Sequence, residues 1–274
     1  MVKQHRTTQR YTPRPKDAEK TLLRRLRELV GQNPRRGSRY IGALLRQEGW
    51  KVNHKRVERL WKREGYKVPQ KRRKKRALGE GANACDKRAA QAMNDVWTWD
   101  FIHDSLTNGD ALKAFVVVDE FTRRCLALEM NRSMRNEDVR QILSRLFGQH
   151  GVPRHIRSDN GPEFISAEIK NVLSAVGVQT LYIEPGAPWQ NGYAEAFNSR
   201  LRDEFLEMNY FTTLAEARTL ADQWKDNYNT KRLHGSLNYL TPEEFTRRCG
   251  DSGSASLRST PPESPQRNTP EAAA

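Results

Sequence analysis

Three carboxylates stand where an enzyme could use them. Asp100 lies in W-T-W-D-F, an aromatic run that reads as a strand. Asp159 follows H-I-R-S and precedes Asn160-Gly161-Pro162, a strong turn signal, so it should end a strand. Glu195 lies in Q-N-G-Y-A-E-A-F-N-S-R-L, in the first turns of an expected helix. An acid inside an aromatic strand is costly to bury unless it is paired or bound to a cation. Three carboxylates gathered at strand ends and a helix start would repel one another, and hard divalent cations remove that repulsion. Mg2+ prefers oxygen ligands and keeps open positions for water and phosphate oxygens. Two such ions, roughly 3.5–4 Å apart, activate a nucleophile and stabilise the leaving oxygen of an in-line phosphoryl displacement. No His or Cys cluster offers a competing zinc site. Arg202, seven residues after Glu195, is nearly two helical turns on and shares its face, and Asn198 lies close to that face. Such a helix suits a phosphodiester lying along it. A solvent-facing ion pair is the plainer alternative for these residues taken singly.

The elements that must position these acids follow from the hydrophobic pattern. V-W-T-W-D-F-I-H-D-S-L, A-L-K-A-F-V-V-V-D-E-F-T and R-C-L-A-L-E-M read as three strands joined by short links, an antiparallel meander. Val139, Ile142, Leu143, Leu146 and Phe147 give helical spacing over 136–150. R-H-I-R-S-D is a fourth strand, 167–176 a helix, V-Q-T-L-Y-I-E-P a fifth strand, and 191–208 and 213–228 are helices. The order β-β-β-α-β-α-β-α-α predicts an α/β mixed sheet flanked by helices, its later strands joined by crossovers.

Charge divides the chain. The net charge is +15 over 274 residues, but residues 1–78 hold 26 Lys+Arg against 6 Asp+Glu, whereas residues 79–274 hold 22 against 27. Concentrated basicity of this kind reads as a polyanion-binding module. After a basic arm over 1–16, Leu22, Leu23, Leu26, Leu29 and Val30 mark a helix that Asn33-Pro34 ends. A second short helix carries Ile41, Leu44 and Leu45, and Gly49 makes a turn. Asn53 caps a third helix with Val57, Leu60 and Trp61 inward and Lys55, Arg56, Arg59 and Lys62 outward. This is a helix-turn-helix-like arrangement with a basic last helix, predicted to bind double-stranded DNA. The run Lys71, Arg72, Arg73, Lys74, Lys75 and Arg76 predicts a linker that gives affinity and salt dependence rather than sequence specificity. The expected divisions are an arm over 1–16, a helix-turn-helix-like domain over 17–70, a basic linker over 71–94, a catalytic core over 95–248 and a disordered, Ser/Thr/Pro/Ala-rich tail over 249–274. There is no membrane-length apolar run and no signal-peptide h-region. Cys85, Cys125 and Cys249 fit no disulfide framework, which points to a reducing cytoplasm.

Taken together, these motifs resemble the DDE core of retroviral-type integrases and transposases. Asp100 in W-T-W-D-F, Asp159 in S-D-N-G-P-E-F and Glu195 in P-W-Q-N-G-Y-A-E match it in order, and thirty-five residues separate the last two, the family's signature spacing. Arg202 stands where the family has a basic residue seven after the glutamate, and R-L-H-G-S-L-N-Y-L-T-P-E-E-F resembles the end of the core. The nearest match is the second-frame protein, OrfB, of bacterial insertion sequences of the IS-three type, whose helical module resembles residues 34–65. The resemblance spans roughly residues 20–248. It implies an RNase H-like fold, with Asp100 and Asp159 bridging two Mg2+ ions, Mn2+ able to substitute, and Glu195 holding the second. It implies hydrolysis at an element end and attack of the freed 3′-OH on target DNA, with no covalent protein–DNA intermediate. DNA contacts would include Gln190, Asn191, Asn198 and Arg202. The implied setting is the bacterial cytoplasm and nucleoid, and the implied assembly a homo-oligomer on DNA.

The sequence also departs from the family. No His/Cys zinc module is present, and no heptad-bearing helix precedes residue 20. Elements of this type commonly encode such a segment in an upstream frame, so an OrfA protein or a frameshift fusion is an expected partner. Two other readings stand beside the transposase: a non-catalytic DNA-binding relic or regulator of the element, and a ribonuclease H acting on hybrids. The presence of all three acids weighs against the first. The basic module and the Gln190-Asn191-Gly192 loop weigh against the second.

Overall fold

The structure is a computed structural model that describes residues 17–68, 89–158, 166–182 and 192–251. It divides into two compact units, Met1–Ala82 and Asn83–Ala274.

The first unit holds α1 (Asp17–Gln32), α2 (Ser38–Gln47) and α3 (His54–Arg63). Leu22, Leu26 and Leu29 of α1 bury against Ile41 and Leu45 of α2 and Val57, Leu60 and Trp61 of α3. Gly49 turns the chain between α2 and α3 at φ +87, a left-handed conformation that suits glycine. The Asn53 side chain accepts the Lys55 N–H at 3.0 Å and caps α3. Ion pairs fasten α1 to its neighbours: Arg25 with Glu48 at 2.6 Å, Arg27 with Glu64 at 2.7 Å and Glu19 with Arg63 at 2.8 Å.

The second unit is built on a sheet of β1 (Val96–Ser105), β2 (Ala111–Asp119), β3 (Cys125–Asn131), β4 (His155–Ser158) and β5 (Gln179–Tyr182), in the order β3-β2-β1-β4-β5. The first three strands are antiparallel, while β4 and β5 run parallel to β1. This is the RNase H-like mixed sheet that the resemblance implies. The helices are α4 (Asn136–His150), α5 (Ala167–Ala175), α6 (Gly192–Glu204), α7 (Leu214–Thr230) and α8 (Pro242–Asp251).

The alternation of side chains along β1 sorts the core into two layers. Trp97 and Trp99 join Phe115, Val117 and Ile156 beneath α4 and α5. Ile102 joins Leu112, Ala114, Val116 and Leu128 beneath Phe197 and Leu201 of α6 and Ala217, Ala221 and Tyr228 of α7. Asp100 shares parity with Ile102, so it lies on the α6 side. One sheet end is stitched by Asp119, which accepts the N–H groups of Asn94, Phe121 and Thr122 and the Thr122 hydroxyl at 2.7–3.0 Å. Burial pushes the Asp119 carboxyl up from its ordinary value, and these donors oppose that rise.

Two boundaries differ from expectation. The expected helix over 191–208 is α6, ending at Glu204, followed by a separate 3-10 turn at Leu206–Met208. The expected core boundary at 248 falls inside α8, and Cys249 is buried. Thr241 starts that helix with a reciprocal cap: its hydroxyl accepts the Glu244 N–H at 3.2 Å, and Glu244 accepts the Thr241 N–H at 2.9 Å. The arm over 1–16, residues 69–70 of the helix-turn-helix-like domain, residues 71–88 of the linker and residues 252–274 of the tail lie outside the described residues.

Candidate active site

Asp100 is half-buried in the middle of β1. One carboxylate oxygen accepts the Phe101 N–H at 2.8 Å, and the other accepts the side-chain amide of Asn198 at 2.5 Å. Asn198 sits on α6, whose buried ridge of Ala194, Phe197 and Leu201 presses on the sheet. Glu195 is exposed one turn before Asn198, and Arg202 is exposed one turn after it. At 3.6 residues per turn the three line one flank of the helix. The Asn198 bond therefore carries the flank holding Glu195 and Arg202 to the face of β1 that holds Asp100.

Asn198 is expected as a DNA contact; its amide nitrogen is engaged with Asp100, and its oxygen Oδ1 is enclosed without a hydrogen-bond partner among the described residues. Ser158, the last described residue of β4, is also fully buried, its hydroxyl without a hydrogen-bond partner among the described residues. Asp159, Gln190, Asn191 and the run from Lys71 to Arg76 lie outside the described residues. Among the described residues no group of three His, Cys, Asp or Glu side chains is placed to hold a metal ion.

The adjoining strand β4 contributes a buried ion pair. Arg157 donates to Glu120 at 2.8 Å, and Glu120 is fully buried. Burial raises the Glu120 carboxyl above its ordinary value, and Arg157 opposes it.

On the first unit, Lys55 and Arg59 are exposed, and Lys62 pairs with Glu58 at 2.9 Å. Glu19 lies 3.6 Å from Arg56, 4.0 Å from Arg59 and 2.8 Å from Arg63. The Arg63 hydrogen bond, followed by the charges of Arg63, Arg56 and Arg59, holds the Glu19 carboxyl below its usual range. The sequence reading missed Glu19 and Arg63. The spacing of Arg56, Arg59 and Arg63 at i, i+3 and i+7 was the available signal.

Comparisons with known proteins give the family of the chain. An integrase core domain family matches residues 90–188, a second integrase core domain model matches 176–242, and an HTH-like domain matches 16–74. The chain is 36% identical over 242 residues to the insertion element IS407 uncharacterized 31.7 kDa protein of Burkholderia multivorans, covering 88% of this chain and 86% of that one. It is 38% identical over 237 residues to the insertion element IS476 uncharacterized 39.2 kDa protein of Xanthomonas euvesicatoria, covering 86% and 67%.

The chain belongs to the integrase-core family of insertion-element transposases.

A further relative of this transposase chain is the transposase for insertion sequence element IS904 of Lactococcus lactis, 31% identical over 159 residues, covering 57% of this chain and 62% of that one. Among solved structures, the HTLV-2 integrase catalytic core domain in complex with magnesium aligns with a TM-score of 0.46 at 16% identity, over 57% of this chain and 97% of that one. A simian T-cell lymphotropic virus intasome chain aligns with a TM-score of 0.49 at 16% identity, over 90% and 78%. No described helix of the transposase is long and apolar enough to cross a membrane.

Proposed function

We propose that this chain is a divalent-metal-dependent DNA transposase that hydrolyses a phosphodiester at an element end and joins the freed 3′-OH to target DNA, with Asp100, Asp159 and Glu195 as the reactive triad. The observation that carries this reading is the Asn198–Asp100 hydrogen bond, which sets the Glu195 flank of α6 on the Asp100 face of β1. Strand register supports it as well. Val96, Trp97 and Thr98 pair in parallel with His155, Ile156 and Arg157, so β4 lies directly beside the strand that carries Asp100.

The donor chemistry fits a hard cation. The proposed ligands are carboxylate oxygens, with no imidazole or thiolate in the set. The enclosed Oδ1 of Asn198 adds a neutral oxygen in want of a partner beside Asp100. Mg2+ or Mn2+ held by Asp100, Asp159 and Glu195 would supply activation of the attacking oxygen and charge neutralisation at the leaving oxygen.

The chain's own residues do the rest. Asn198 and the Phe101 N–H fix the orientation of the Asp100 carboxylate. Arg202, exposed on the Glu195 flank, is placed to pair with a backbone phosphate. Lys55, Arg56, Arg59 and Lys62 of α3 hold duplex DNA, joined by the run from Lys71 to Arg76. Gln190 and Asn191 complete the proposed contacts near the reacting strand. Partners are the element's terminal repeats, target DNA in the bacterial nucleoid, further copies of this chain and an upstream-frame OrfA segment.

The test is strand transfer with Mg2+ on a short duplex carrying the element end, comparing wild type with Asp159→Asn and Asp100→Asn. Both variants should bind DNA and lose joining. Equal joining by wild type and Asp159→Asn would sink the assignment. Degradation of an RNA–DNA hybrid without any joining would favour a ribonuclease H instead.

A further inference from the structure

The helix α6 has a second flank. With its ridge of Ala194, Phe197 and Leu201 buried, Tyr193, Arg200 and Glu204 fall on the side away from Glu195, Asn198 and Arg202. At about 100° per residue, Arg200 stands roughly 140° around the helix from Glu195. Two more arginines reach this side. Arg123, in the turn between β2 and β3, lies over the Tyr193 ring with its guanidinium carbon 3.9 Å from the centroid. Arg232, two residues beyond α7, pairs with Glu204 at 3.0 Å. The turn and the end of α7 are fastened together, because the Asn229 side chain bonds both backbone groups of Cys125 at 2.9 and 2.8 Å. Arg123 and Arg232 are each within three residues of that clamp.

The charges in this cluster do not balance. Glu204 serves Arg232. Arg123 donates to the Glu120 carbonyl at 2.6 Å, while the Glu120 carboxylate is held by Arg157. Arg200 donates to the Ala196 carbonyl of its own helix at 2.9 Å, and among the described residues it forms no ion pair with a carboxylate. All three guanidiniums are partly withdrawn from water. Burial, then the charge of Arg232 and more weakly that of Arg123, lower the proton affinity of Arg200, and Tyr228 and Glu204 only partly oppose them. Like charges gathered and partly desolvated with too little countercharge are unfavourable unless an anion completes the set.

We propose that Arg123, Arg200 and Arg232 form a binding site for backbone phosphates of DNA, distinct from the strand held at the Asp100–Glu195 flank. The proposal rests on reading that first flank as the reactive site. The guanidinium fork matches two phosphate oxygens at once, and stacking on Tyr193 keeps the plane of Arg123 fixed. One helix then serves two segments of bound backbone, one on each flank.

The experiment is DNA binding by the full chain, read as anisotropy of a labelled random-sequence duplex across a salt series, without divalent metal and in an Asp100→Asn background. Arg200→Gln should weaken binding about tenfold at low salt and make the log–log salt slope shallower by about one. Arg200→Lys, which keeps the charge without the fork, should recover the slope and only part of the affinity. Arg123→Gln should repeat the loss of slope, and it decides the matter if Arg200→Gln fails to fold by circular dichroism. Wild-type slope and affinity in a folded Arg200→Gln, or in Arg123→Gln, would overturn the proposal. So would a melting temperature raised by inorganic phosphate and lost in Arg200→Gln while the DNA slope stays unchanged, which would assign the site to a small anion. The readout needs no catalysis, so retained strand transfer in Asp100→Asn would remove the triad reading and leave this slope where it was.

Discussion

Asn198 donates its side-chain amide to the carboxylate of Asp100 across 98 residues of sequence. One hydrogen bond thus sets both the rotamer of a strand acid and the approach of the helix bearing Glu195. Groups that orient a metal-binding carboxylate typically matter about 10–100-fold in affinity or activity. Asn198→Ala should lower strand transfer within that range and raise the Mg2+ concentration needed for half-maximal rate, while duplex binding stays near wild type. A metal titration of joining rates checks this, and a uniform rate loss with unchanged metal dependence would mean that the bond serves packing alone.

Glu19 shares its carboxylate among Arg56, Arg59 and Arg63. A duplex phosphate approaching α3 must compete with it. Glu19→Gln should therefore tighten binding to random-sequence duplex a few-fold at low salt, with the gain fading as salt screens it. Arg56→Ala and Arg59→Ala should weaken binding. Unchanged affinity at physiological salt in both arginine variants would refute recognition by that helix.

The Asn229 clamp on Cys125 satisfies two buried backbone groups at once. Asn229→Ala leaves both without partners, at a cost of about 2–4 kcal/mol. Urea unfolding followed by tryptophan fluorescence should show the midpoint fall with little change in slope. Asn229→Asp, which can accept from Cys125 but not donate to it when ionised, should lie between.

Glu137, in the first turn of α4, is held at about 2 by the hydrogen bond from Arg140, aided by Gln141. A carboxyl whose folded value is depressed stabilises the fold above its unfolded value, near 4.5, and that contribution is lost as pH falls toward about 2. Glu137→Gln should flatten that part of the acid limb of the stability curve. The side chain is exposed, so the difference between wild type and variant should shrink at high salt.

The pattern-bearing parts of the molecule were legible in advance. Period-two alternation gave β1, apolar spacing gave α4 to its end residues, and Asn53 announced the start of α3 through its capping chemistry. Asp100 drew notice because a carboxylate among Trp97, Trp99 and Phe101 needs a physical reason. The α8 helix was overlooked although T-P-E-E carries its start: a Thr cap, Pro at the first helical position and Glu three residues after the cap. The Asn198–Asp100 bond and the Asn229 clamp could not be read from spacing, and spacing marks the three arginines of α3 but not the Glu19 that meets them. Each joins residues from elements that meet only once the chain is folded.

The edge strand β3 offers a last consequence. Outward groups near both of its ends are already taken by α7: Cys125 by Asn229 at one end, and the Met130 carbonyl by Arg218 at 2.9 Å near the other. A strand from another molecule would have to displace both side chains before it could add here. Any further copy of this transposase would thereby be steered away from sheet-to-sheet pairing at this border, with less hazard of irreversible clumping there.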